Sequence, residues 1–359
     1  MSASLDDLLA KMIEVGASDL HLKVGSPPVM RIDGELHPTS LAMLMPNDTE
    51  EYAQSIFTQR AAAEFREMNE ADFAYGKAEL GRFRINVFRQ RGSVSLVLRR
   101  VLPTTQDFEE LGLPKVLEKL AHEQRGLVLV TGPTGSGKTT TLASIIDFMN
   151  RNRRVNIITI EDPIEVLHRD KLSIIAQREV GMDTTDFTEA LRRALRQDPD
   201  VILIGEMRDA ETVKAALQAA ETGHLVLSTL HTIDATETIN RVIDFFPPYQ
   251  QQQVRILLAS TLRGVISQRL LEKSDGGRIP AIEVMTNNGR VFDRIVDPAE
   301  THSLVEVIRE SEFYGMQTFD QSILSLFKQG LISFQIAMGS ASNPHDFRVK
   351  AEQEGLVSV

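Results

Sequence analysis

The chain has 359 residues, 42% of them hydrophobic and 25% charged, so it is long enough for two domains and too apolar for wholesale disorder. It contains no cysteine, which excludes disulfides and thiolate zinc sites and fits a reducing compartment. Its 39 basic and 50 acidic residues leave a formal charge of −11, which works against a broad nucleic-acid footprint. Residues 1–22 carry acids where a secretory signal needs a basic region and an unbroken apolar core. No stretch reaches membrane-spanning length, so a cytoplasmic protein without direct membrane insertion is expected.

In chain order, Leu5, Leu8, Leu9, Met12 and Ile13 fall at helical spacing and predict a helix over 2–15 that Gly16 ends. Alternation over 19–24 predicts a strand, and 29–36 reads as a hairpin turning at Asp33 and Gly34. His21, alone on the polar face of the first strand, reads as solvated. Asn47 or Asp48 is positioned to cap a second helix running to about Arg66, and 72–75, 81–89 and 93–101 alternate as antiparallel strands. Residues 1–102 therefore form a small α+β domain. Pro103, Gly112 and Pro114 punctuate a linker over 103–114, and a second domain fills 115–359.

The second domain is an α/β fold with a parallel sheet. Apolar runs at 127–130, 155–160, 201–204 and 225–229 are separated by helical segments such as 187–196 and 210–221. After the first run come Gly132, Pro133, Thr134, Gly135, Ser136, Gly137, Lys138 and Thr139, which satisfy G-x-x-x-x-G-K-[ST] at every position, with Thr140 next and a helix over 139–150. Glycines let such a loop wrap a phosphate closely, Lys138 adds a point charge for the β and γ phosphates, and Thr139 offers its hydroxyl to Mg²⁺. The nucleotide then belongs at the carboxyl ends of the strands. There the sequence places Glu161, Asp162 and Glu165 after the second run, Glu206, Arg208 and Asp209 after the third, and His231 after the fourth. Carboxylates that orient a water and hold a metal shell suit attack on a γ phosphate. In the last third, Val254, Leu257, Leu258, Thr261, Leu262, Val265 and Ile266 form a helical apolar stripe, residues 317–328 form a second amphipathic segment, and the region reads as mainly helical.

Taken together these motifs resemble the secretion and pilus ATPase superfamily. The GPTGSGKT loop resembles its Walker A, IEDPIE at 160–165 its aspartate box, IGEMRD at 204–209 its Walker B, and ETGH at 221–224 through LHT at 230–232 its histidine box. The fit is best to the PilT-like twitching-motility branch and extends to GASDLHL at 16–22, GRFRINVF at 81–88 and GMQTFDQ at 315–321. The resemblance implies a PAS-like N-terminal domain, a RecA-like P-loop ATPase domain with a helical C-terminal region, and a homohexameric ring. It implies a motor at the inner face of the cytoplasmic membrane that works on an inner-membrane pilus platform protein and the pilin machinery to drive retraction. ATP and Mg²⁺ are its implied ligands, with Lys138, Thr139 and Thr140 at the phosphates and metal and Glu206 as the Walker B carboxylate. Glu165 is the first choice as general base and Glu161 the competitor, while His231 approaches the γ phosphate and His224 opens the same box. Arg82, Arg84 and Arg99, which share one strand face, are implied to act as arginine fingers.

One departure stands out. An Ala-Ile-Arg-Asn-Leu-Ile segment follows the EVM strand in this branch, whereas here Glu283, Val284 and Met285 lead to Arg290, Val291, Phe292, Asp293, Arg294 and Ile295. An accessory or divergent retraction motor is therefore an open alternative. The assembly or type II secretion ATPases carry a longer N-terminal region and a four-cysteine zinc segment, which disfavours them. A nucleic-acid translocase is disfavoured by the charge and by the lack of a basic, aromatic-interleaved stretch.

Overall fold

A computed structural model describes residues 3–32, 34–101 and 106–357. It divides into two compact units, residues 1–104 with 165–167, and residues 105–164 with 168–359.

The first unit opens with α1 (Leu5–Glu14), whose N-terminus is closed by a reciprocal Ser4 and Asp7 capping box. Its Leu5, Leu8, Leu9 and Met12 are buried, as the spacing requires. Strands β1 (Asp19–Lys23), β2 (Val29–Ile32), β3 (Glu35–Pro38), β4 (Glu70–Lys77), β5 (Gly81–Gln90) and β6 (Ser93–Val101) form an antiparallel sheet ordered β3-β2-β1-β6-β5-β4. Asp33, expected at the hairpin turn, lies outside the described residues. Alternation sorts the sheet: Phe83, Ile85, Val87, Leu96 and Leu98 point into the core with α1, and the intervening residues face away.

The single helix expected from residue 47 or 48 to 66 is two helices, α2 (Pro46–Ile56) and α3 (Gln59–Met68). Phe57 breaks the run by adopting an extended backbone, and its ring packs 5.3 Å from that of Phe65 and 5.7 Å from that of Phe73. Thr58 then caps α3 by accepting the Ala61 N–H. Neither Asn47 nor Asp48 is the N-cap of α2. Met45 is, with Pro46 in the first turn and Asp48 accepting the Met45 N–H at 2.7 Å.

The second unit begins with α4 (Val116–His122) and then alternates: β7 (Gly126–Thr131), α5 (Lys138–Asn152), β8 (Asn156–Glu161), β9 (Ile174–Glu179), α6 (Phe187–Ala194), β10 (Val201–Ile204), α7 (Ala210–Glu221), β11 (Leu225–Leu230), α8 (Ala235–Asp244), α9 (Pro248–Thr261), β12 (Leu262–Glu272) and β13 (Arg278–Thr286). The sheet order is β13-β12-β7-β11-β10-β8-β9, parallel throughout except for β13, which runs antiparallel to β12 at one edge. Both faces are covered. Leu127, Leu129, Ile202, Ile204 and Val226 pack with helices α6 to α9. Val128, Val130, Ile157, Leu203 and Leu227 pack with α4 and α5. Such continuous apolar strands are what a parallel sheet with two helical layers demands.

The C-terminal third is not mainly helical at its start. The apolar stripe over 254–266 is divided, because α9 stops at Thr261 and Leu262, Val265 and Ile266 belong to β12. A run buried on both faces of a sheet satisfies helical spacing by accident. Beyond β13 come α10 (Gly289–Val296), α11 (Leu304–Arg309), α12 (Phe319–Lys328), α13 (Phe334–Ser340) and α14 (Pro344–Gln353). The last three share a core of Phe319, Ile323, Ile332 and Phe347 with Leu271 of β12 and Ala281 of β13.

Candidate active site

The loop between β7 and α5 is shaped by three glycines in the left-handed region, Gly132 at φ 145°, Gly135 at 78° and Gly137 at 90°. Gly132 is also a close-approach position, since a Cβ there would lie 2.4 Å from the Gln268 carbonyl oxygen and 2.5 Å from Ser136 Oγ. Lys138 is buried and turned back across the loop, its Nζ donating to the carbonyls of Gly132 at 2.8 Å and Pro133 at 3.0 Å. Pro133, Thr134, Gly135, Thr139 and Thr140 are exposed. Ser136 is buried, and its hydroxyl has no hydrogen-bond partner among the described residues. A lysine at the first turn of α5 and the helix dipole suit this loop to an anion.

On the neighbouring strand ends, the structure brings Glu206 and His231 together. Glu206 follows β10, is mostly shielded, and lies 3.7 Å from His231 Nε2 beyond β11. It also forms a close ion pair with Arg208, which holds the Arg208 guanidinium above its ordinary pKa. The sequence placed Arg208 at this strand end without giving it a role. Glu161 ends β8 buried, accepting from Thr159 Oγ1 at 2.7 Å and Gln177 Nε2 at 3.1 Å. Glu179 of β9 is buried as well and accepts the Ile164 N–H at 3.1 Å, which fixes the segment after β8. Glu165 is exposed and groups with Val166 and Leu167 in the first compact unit.

The two histidines of the predicted box do not converge. His224 precedes β11 and His231 follows it, so they sit at opposite ends of a six-residue strand, roughly 20 Å apart at ordinary strand rise. The His224 Nδ1 lies 3.0 Å from the Ala219 carbonyl and 3.3 Å from Thr222 Oγ1, where it closes the C-terminus of α7. That contact suits the packed structural role that stands beside the functional one for His224.

In the first unit, Arg84 and Arg99 are direct cross-strand partners, and Arg82 lies two residues before Arg84 on the same face. Arg99 is engaged there, its Nε 2.8 Å from Asp19 Oδ1. Burial pushes the Asp19 carboxyl up, but hydrogen bonds from Arg99 and Ser18 outweigh it and hold the group below its ordinary value. Both Arg84 and Arg99 are exposed, and Arg99 is held against its own sheet by that pair. His21 on β1 is half-buried rather than solvated, and burial pushes its pKa down.

The residue that sequence reasoning missed most completely is Gln268 of β12. It is buried, its Nε2 donates to the Ser136 carbonyl at 2.6 Å, and its Oε1 accepts from Thr141 Oγ1 at 2.9 Å. Nothing local in the sequence marks it, because only the pairing of β12 beside β7 brings it to the loop.

This geometry places the chain in the class of P-loop ATPases. Residues 2–303 match the model of the family described as Type II/IV secretion system protein, and the chain belongs to that family. It is 43% identical over 343 residues to the "Type IV pilus retractation ATPase PilT" of Pseudomonas aeruginosa, covering 96% of this chain and 99% of that protein. To the "Type IV pilus ATPase PilU" of the same organism it is 41% identical over 345 residues, covering 96% and 90%. The crystal structure of the pilus retraction motor PilT with bound ADP superposes with a TM-score of 0.89 at 46% identity, covering 96% of this chain and 99% of that one.

Proposed function

We propose that the chain is an ATP-hydrolysing motor that drives type IV pilus retraction. The observation that carries this is the full-length match to PilT in both sequence and structure, joined to a P-loop whose lysine is turned into the loop. In this reading the first unit is a PAS-like domain and the second a RecA-like domain. The working form is a homohexamer, peripheral at the cytoplasmic face of the inner membrane, acting on a platform protein and on pilins. No helix among the described residues is long and apolar enough to cross a membrane.

The chemistry follows from the residues. Lys138, the loop amides from Gly132 to Gly137 and the α5 dipole hold the phosphates, with Thr140 flanking them. Thr139 presents an exposed hydroxyl beside the loop and Glu206 a carboxylate on the next strand but one, hard oxygen donors that suit Mg²⁺. Thr139 and Glu206 would hold such an ion, which would supply positive charge to the phosphates during transfer. Glu206, steadied by Arg208, orients the attacking water, and His231 presents its ring to the same region. Glu161 is tied to two donors within the sheet, which suits a positioning carboxylate, and exposed Glu165 keeps the role of base. Arg82, Arg84 and Arg99 would serve as arginine fingers, a contribution worth ~10³ or more in rate in enzymes of this kind.

Lys138→Ala tests the assignment, and steady-state phosphate release should fall to background. A folded variant with normal turnover removes the P-loop reading. A second reading, an accessory retraction ATPase, is favoured by the divergent segment over 290–295. That segment is α10, whose Val291 and Ile295 are wholly buried, while Arg290 and Arg294 pair with Glu310 at 2.7 Å and Glu300 at 2.9 Å.

A further inference from the structure

We propose that Gln268 is a positioning residue for the nucleotide loop, acting through the loop's backbone rather than on ATP itself. The proposal rests on the P-loop reading and goes beyond the motif residues. The side chain is 1% exposed, so no bulk water competes for its amide. Its donor and acceptor are both used on the P-loop, at the Ser136 carbonyl and the Thr141 hydroxyl, which lie on either side of the kink at Gly137 where the loop becomes α5. The two glycines around that kink are fitted to the same residue. A Cβ on Gly132 would fall 2.4 Å from the Gln268 carbonyl oxygen, and one on Gly137 would fall 3.0 Å from its Nε2.

Its neighbours extend the attachment in both directions. Ser267 accepts a hydrogen bond from Thr131 Oγ1 at 2.8 Å, at the strand end that feeds the loop. Thr131 in turn lies 3.5 Å from the Thr238 hydroxyl, which is 2.7 Å from that of Thr232, next to His231. Arg269 stacks over the Phe319 ring at 4.0 Å and donates to the Ser340 carbonyl at 3.3 Å. Three successive residues of β12 therefore fix the entry to the loop, its kink, and the C-terminal helices. Because Gln268 orients amides that meet phosphate in substrate and transition state alike, its loss removes uniform binding and raises KM more than it lowers kcat.

The test is a set of purified full-length variants assayed for ATP turnover and for affinity with a fluorescent ADP. Gln268→Leu, which keeps the volume and deletes both hydrogen bonds, should raise the ADP Kd and the ATP KM about tenfold, with kcat at saturating ATP within about threefold of wild type. Thr141→Val should shift affinity in the same direction, and Thr141→Ser should restore it. Wild-type affinity, within about twofold, for Gln268→Leu with only a lower nucleotide-free thermal midpoint overturns the proposal and leaves a packing role. If Gln268→Leu fails to fold, the Thr141 pair decides, since Thr141→Val with wild-type affinity is equally fatal. Lys138→Ala is the control: if it too binds ADP normally, the P-loop reading has failed, whereas its failure beside an unaffected Gln268→Leu removes only the positioning role.

Discussion

Glu206 is the acid on the strand ends of the second unit that both Arg208 and His231 approach. Arg208 pairs with it closely and His231 Nε2 lies 3.7 Å away, while it stays mostly shielded from solvent. His224 has none of these neighbours and closes α7 instead. The two histidines should therefore fail differently. His231→Ala should lower kcat with ADP affinity retained, and should leave the nucleotide-free thermal midpoint near wild type. His224→Ala should lower that midpoint, because it strips the α7 terminus of a bond worth about 1 kcal/mol. Thermal melts beside single-turnover assays separate the two, and matching profiles for both variants count against the opposed placement. The P-loop residues were legible because the motif is contiguous. Arg208 was visible but unweighted. Gln268 was illegible because it is 132 positions from the carbonyl it holds.

At the scale of elements, the parallel strands 127–130, 155–160, 201–204 and 225–229 were legible because runs buried on both faces are long, apolar and bounded by loops. The same property hid β12, whose Leu262, Val265 and Ile266 continued the helical spacing of α9. Strand β9 was missed because it is an edge, with Ile174 60% exposed and little apolar pattern to read. Strand β13 carries a consequence of burial that pattern reading does not reach. Burial pushes the Glu283 carboxyl up to about 7 from an ordinary 4.5. The Ala235 N–H that it accepts at 2.8 Å and Arg269 draw it back, and Asp234 and Asp320 add to the rise. Between those two values the folded chain keeps a proton that the unfolded chain has released. Stability should accordingly fall as pH rises from about 4.5 to about 7 and then level. Glu283→Gln retains an acceptor for Ala235 and carries no charge. It should match wild type near pH 4 and exceed it above pH 7, by on the order of 1–3 kcal/mol. Denaturation midpoints across that range check this, and parallel profiles for the two proteins refute it.

At the scale of the whole molecule, the ATPase site does not by itself distinguish a retraction motor from an accessory one, and PilT and PilU match nearly the entire chain at 43% and 41% identity. The difference has to lie in how hydrolysis is delivered to the pilus, and α10 is where this chain departs from the expected segment. Its buried Val291 and Ile295 keep the helix on the core, so the charged departures at Arg290, Asp293 and Arg294 fall on its exposed or half-buried positions. Direction of force is then a question for the cell. Deleting the gene in the native host should leave cells with more surface pili and no twitching, because assembly continues while disassembly stops. Wild-type protein should restore both properties, and Lys138→Ala should restore neither, which ties the phenotype to hydrolysis rather than to the presence of the chain. Bald cells would instead mark an assembly motor. A normal pilus count with weakened twitching would move the chain to the accessory class, with the P-loop chemistry intact and only its mechanical assignment changed.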